Sequence, residues 1–232
     1  MWRVAAVLVT LAAPTSAETI TGAQYTDPTG RYPHGVLGDA IEYGTLEILT
    51  DAARAVRIVL PDTRVFEDTE PRLADLDGDG APEVIVAESD ARLGARLAVY
   101  GVDGLIAAGP FIGTAFRWLA IAGAADLDGD GAMEIAYVDR PHLAKTLRVF
   151  RFIDGSLTEL ASLPGVTNHR IGERDIAGGI RDCGAGPEVI VADAGWRVLL
   201  AVTLTQSGLA AREVGTHEGR ASFAQALRCE GS

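Results

Sequence analysis

Residues 74–86 read ADLDGDGAPEVIV, and nearly the same letters return at 125–138 as ADLDGDGAMEIAYV. Each copy sets Asp at its first, third and fifth positions, Gly at the fourth and sixth, and Glu at the ninth. The donors are Asp75, Asp77, Asp79 and Glu83 in the first copy, and Asp126, Asp128, Asp130 and Glu134 in the second. Oxygen donors at alternate positions around a glycine-permitted turn suit a hard cation. Calcium takes six to eight oxygens at roughly 2.3–2.6 Å, and Gly at the sixth position frees the backbone to fold them inward. The backbone carbonyls of Ala81 and Ala132 would add a ligand to each loop. Two calcium sites are therefore expected.

The residues after each loop decide the fold. An EF-hand loop leads into a helix and ends on a Glu at its twelfth position. Here PEVIVA and MEIAYV follow at once, and both are β-branched apolar strands. The ninth-position Glu is thus the last ligand and opens a strand. Two degenerate copies extend the pattern. DAIEYGTLEIL at 39–49 keeps Asp39, Gly44 and Glu47, and GIRDCGAGPEVIVA at 179–192 keeps Asp182 and the PEVIVA strand. Both lack the acids a cation needs. Aligned on Glu47, Glu83, Glu134 and Glu188, the units follow one another at 36, 51 and 54 residues.

The third unit shows four strands: RWLAIAGAAD, MEIAYVD, TLRVFRFIDG and SLTELASLPG. Asp-Gly pairs at 103–104 and 154–155 mark tight turns between the last two strands of a unit. No stretch beyond residue 17 shows sustained helical periodicity. A four-stranded antiparallel unit repeated radially is a β-propeller blade, an arrangement that leaves only short, protected strand edges. The expected fold is all-β, a small propeller of about four four-stranded blades. Residues 19–26 read as a lone outer strand and 221–229, ASFAQALRC, as a lone inner strand. Together they could form a fifth, partial blade.

At these motifs the chain resembles the FG-GAP/VCBS repeat family, the calcium-loop blades of integrin alpha-chain propellers and of secreted bacterial proteins. The resemblance implies one calcium on Asp75, Asp77, Asp79, the Ala81 carbonyl and Glu83, and a second on Asp126, Asp128, Asp130, the Ala132 carbonyl and Glu134. Integrin-type propellers have seven blades, more than this chain can hold. Their ligand recognition therefore does not carry over.

Composition bounds the rest. The chain has 232 residues, 48% hydrophobic and 22% charged, enough for one sizeable core. Residues 1–17, MWRVAAVLVTLAAPTSA, combine Arg3, a short apolar run and small residues before Glu18, the pattern of a cleaved export signal. That leaves 18–232 as a single domain. The apolar run falls short of the roughly 20 residues a spanning helix needs, and no later stretch approaches it. A net charge of −12 disfavours nucleic acid as a partner. Export to the periplasm or beyond the cell makes Cys183 and Cys229 most simply one disulfide, the alternative being two buried thiols.

The sequence holds no nucleophile elbow, zincin motif or P-loop. The four histidines, His34, His142, His169 and His217, are scattered in sequence. Trp118 and Trp196 read as core residues or stacking platforms. His34, Arg72, Arg117, Arg170 and Arg220 recur just before or at the start of successive inner strands, so a propeller would gather them around one axial mouth. Such a ring would favour an anionic ligand. The reading that follows is an exported calcium-binding module with calcium as its structural cofactor and an extracytoplasmic protein or glycan as its partner. The alternative is a small secreted, calcium-assisted hydrolase of phosphate or sugar substrates.

Overall fold

The computed structural model describes residues 18–230. The expected export signal, 1–17, lies outside them. Three antiparallel sheets follow one another along the chain. The first holds β1 (Ile20–Thr29), β2 (Glu42–Thr50), β3 (Ala55–Val59), β4 (Arg64–Phe66), β5 (Arg72–Ala74), β6 (Glu83–Asp90), β7 (Gly94–Gly101) and β8 (Gly104–Ala108). The second is a plain meander of β9 (Leu119–Ala125), β10 (Glu134–Asp139), β11 (Thr146–Ile153) and β12 (Ser156–Pro164). The third contains β13 (Val166–Thr167), β14 (Gly179–Asp182), β15 (Pro187–Asp193), β16 (Val198–Thr205) and β17 (Gly208–Thr216), followed by helix α1 (Arg220–Leu227).

Burial explains the strand order. Every residue of β6 and of β10 is buried, as expected for apolar runs covered on both faces. The edge strand β12 instead alternates between exposed and half-buried, with one face to water. Asp154 and Gly155, at φ 48° and 68°, form the two-residue turn between β11 and β12. Positive φ at both positions matches the twist of the hairpin, which is why Asp-Gly stands there.

One core layer lies between the first and second sheets, where Ile85, Leu97 and Val99 meet Ile121, Ile135 and Phe150. A second lies between the second and third, with Val138, Leu147 and Val149 against Val189, Val191 and Val202.

Four expectations change. The first two units do not make separate sheets: β4 pairs with β6 along its length and with β2 through Tyr43 and Phe66, fusing them. In the first unit the acid that opens β2 is Glu42, not Glu47, which sits mid-strand opposite Arg57. Of residues 19–26, all but Thr19 belong to β1, which is paired with β2 along its length, so no blade is shared with the C-terminus. The C-terminal segment is the helix α1, with Phe223 and Ala226 buried against the third sheet. Those two residues lie three apart, on one face of a helix, and Ala, Gln and Leu around them are good helix formers.

The inner strands of two units are also split. β4 and β5 share one edge of β6, and β13 and β14 share one edge of β15. The interruptions bring polar residues into the interior: Glu67 and Asp68 after β4, Asn168 and His169 after β13, all at most 3% exposed.

Candidate metal centre

The two repeated loops join β5 to β6 and β9 to β10 at the same end of neighbouring sheets. A hollow lined by Asp77 on one side and by Gly131 and Ala132 on the other separates them. Each loop is wound by its own first aspartate. Asp75 accepts from the Gly78 amide at 2.8 Å and the Gly80 amide at 3.1 Å; Asp126 accepts from Gly129 at 2.7 Å and Gly131 at 2.9 Å. Gly78, Gly80, Gly129 and Gly131 all have φ between 77° and 91°, a region in which a side chain would be strained.

The ninth-position acids close the loops from beneath. Glu83 accepts from the Leu76 amide, and Glu134 from the Leu127 amide, both at 2.8 Å. Leu76 and Leu127 are themselves buried and anchor each loop in the core. Burial pushes the Glu83 carboxyl up, and Asp77, Asp79 and Asp75 push it further. Burial raises Glu134 as well, opposed by Arg151.

Carboxylate oxygens of Asp75, Asp77 and Glu83 lie within 4.8 Å of one another, as do those of Asp126, Asp128 and Glu134. Three hard, anionic oxygens converging on one point form a donor set for an oxygen-seeking dication. Asp79 and Asp130 stand outside these triads and accept from the Ala81 and Ala132 amides, at 2.7 and 2.9 Å. The expected Ala81 and Ala132 carbonyls belong to the same turns.

The loops differ in one respect that motif reading missed. Arg151 on β11 lies opposite Glu134 and spans the second loop, with Nε 2.6 Å from Glu134, Nη2 2.9 Å from Asp128 and Nη1 2.8 Å from Asp130. In the first loop the corresponding place on β7 falls at Gly101, one step beyond the Val84–Tyr100 pair. The degenerate loop at 182–187 goes further. Its Glu188 is held by Arg181 at 3.1 Å and Arg212 at 2.7 Å, while only Asp182 remains to wind the turn through Gly184 and Gly186. Arginine thus stands where the loop acids have been lost.

Cys183, in that same turn, is bonded to Cys229, with Cα atoms 5.7 Å apart. The bond ties the turn to the residues just after α1, rather than to an inner strand.

The expected cationic ring is largely offset by acids. His34 bonds Glu67, Arg72 bonds buried Asp68 at 2.6 Å, and Arg220 pairs with Glu173 and Asp175. Arg170 lies 4.4 Å over the Trp196 ring, and Arg117 has no carboxylate partner among the described residues.

The histidines are less scattered than their numbering implies. His142 Nε2 lies 2.9 Å from His169 Nδ1, and His34 and His142 line one cavity beside Trp118. Burial, with His169 and His34 nearby, lowers the His142 imidazole to about 4, so it is neutral at pH 7.

Against known families, residues 75–137 match the FG-GAP-like repeat. The chain carries an FG-GAP-like repeat. The match runs from the first aspartate of the first loop to the strand after the second, so both carboxylate triads of this chain fall within it. No curated protein matches the chain.

Proposed function

We propose that this chain is an exported calcium-binding module of small β-propeller type, with residues 18–232 as its single domain after removal of 1–17. Its successive meanders would act as blades, about four in number, and calcium would be a structural cofactor. The observation that carries this reading is the repeated triad: two loops with the same donors, the same winding amides and the same buried closing Glu.

Calcium would sit on Asp75, Asp77 and Glu83 in one loop, and on Asp126, Asp128 and Glu134 in the other. Asp79, Asp130 and the Ala81 and Ala132 carbonyls would fill remaining coordination positions. The ion supplies charge neutralisation to acids that otherwise repel one another, and so fixes the loop that leads into a buried strand. The Cys183–Cys229 bond fits an oxidising compartment, the periplasm or the cell exterior. The working surface of such a scaffold would take an extracytoplasmic protein or glycan.

Thermal unfolding in millimolar calcium and in chelator tests the reading. A site occupied at ten times its Kd adds about 1.4 kcal/mol by mass action. For a chain of this size two sites raise Tm by roughly 6–10 °C. An equal Tm in calcium and chelator, or an undiminished rise in the Asp77→Asn/Asp128→Asn double variant, would overturn it.

A further inference from the structure

β9 runs toward its cation loop and β10 returns, so the residues before β9 and after β10 lie at the opposite end, about 20 Å away at 3.3 Å per residue. There a cavity of about 190 Å³ opens beside Trp118. A dry cavity of about 150 Å³ accepts benzene. This one has room for a single ring and a small substituent.

Its aromatic walls are held in place. Trp118 is 2% exposed, and its Nε1 donates to the Glu67 carbonyl at 2.6 Å. The imidazole of His142 lies within 18° of parallel to the indole, at 6.4 Å between centroids. A hydrogen-bond chain fixes that imidazole. The Glu173 carbonyl can only accept, so His169 carries its proton on Nε2, and its Nδ1 accepts from the His142 Nε2–H. Among the described residues no third His, Cys, Asp or Glu atom joins this pair as a metal cluster. Phe116, Leu143 and Ile171, at 42, 63 and 71% exposed, continue the apolar lining out to the mouth.

The charges at the cavity do not cancel. His34 is bonded to Glu67, and Arg140 holds Asp139 through Nε at 2.8 Å and Nη2 at 2.9 Å. Arg117 bonds only the carbonyl of its neighbour Phe116, at 2.9 Å, and has no carboxylate partner among the described residues. One uncompensated guanidinium beside flat apolar walls, on a chain of net charge −12, selects for an anion with a planar body.

We infer that this cavity binds a small aromatic carboxylate, its ring against Trp118 and His142 and its carboxylate on Arg117. The site is separate from the cation loops and stands or falls apart from them.

Calorimetric titration of the full chain with benzoate and with benzamide, its neutral counterpart, tests the inference. Benzoate is expected to saturate one site and to bind at least tenfold more tightly than benzamide. Arg117→Gln should bring benzoate down to the benzamide level and leave benzamide unchanged, with the far-ultraviolet melt preserved. Phe116→Ala should weaken both ligands. The inference is overturned if neither ligand binds, if the two bind equally, or if Arg117→Gln has no effect on benzoate. Self-association abolished by Leu143→Asp, without benzoate uptake, would also overturn it and assign the apolar mouth to a second copy.

Discussion

Replacing Arg151 by Gln should separate the two loops. The guanidinium bonds Glu134, Asp128 and Asp130, and two of these belong to the donor triad, so a cation entering the second loop must displace it. Glu134 is fully buried, but Asp128 and Asp130 are 28 and 46% exposed on their side chains, so solvent screens much of the attraction. With exposed Asp130 left out, about 0.5 kcal/mol for each of the Glu134 and Asp128 contacts totals about 1 kcal/mol, or roughly fivefold in affinity. Among the described residues the first loop carries no such competitor, and Gly101 holds the corresponding place. Calcium titrated into an Asp77→Asn background, where only the second loop reports, should therefore bind about fivefold more tightly once Arg151→Gln is added. In chelator the same substitution should lower Tm, since the loop acids lose the cation that pairs with them among the described residues. Opposite signs in the two conditions are the signature of competition. Unchanged or weakened calcium binding in the variant would refute the reasoning and make Arg151 a support for the loop.

Two further outcomes follow from the interior. Glu42 is 1% exposed, its Oε1 has no hydrogen-bond partner among the described residues, and burial, with Glu67, Asp39 and Asp68 nearby, raises its carboxyl to about 9. The folded state then holds a proton that the unfolded chain releases above about 4.5, so this group costs stability progressively as pH rises from about 4.5 to 9; Glu42→Gln should raise Tm at pH 8 and leave it unchanged at pH 4, as read by scanning calorimetry. The Cys183–Cys229 bond closes 46 residues and braces α1 over Arg181, whose Nη1 donates to the Ala226 carbonyl at 2.5 Å; replacing both cysteines by serine should cost about 2–4 kcal/mol in urea unfolding and remove amide-exchange protection from α1 first.

What was legible in the sequence was local. All the donors of a cation loop fall within nine residues, and the turn glycines, the closing Glu and the strand it opens announce one another. Hairpins such as that at Asp154–Gly155 are written the same way. Arg151 was hidden because it acts across a strand pair, 17 residues after Glu134, and only the β10–β11 register brings the two together. The cavity beside Trp118 escaped for the same reason: His34, His142 and His169 come from three different connections. Arg220 of the expected cationic set opens α1 and not an inner strand, and Glu67, Asp68, Glu173 and Asp175, which pair with His34, Arg72 and Arg220, lie in interruptions whose paths are set by tertiary packing. The helix α1 was lost to the expectation of another strand, since eight residues with two buried positions make a weak periodic signal.

The central claim is that each DLDGDG loop is a calcium site. Calorimetric titration of calcium into chelator-stripped protein, beside the Asp77→Asn and Asp128→Asn variants, tests it most directly. The account predicts two sites in the parent, the second loop the weaker, with one lost in each variant. No calcium-dependent heat in the parent, or the same two sites in both variants, would contradict it.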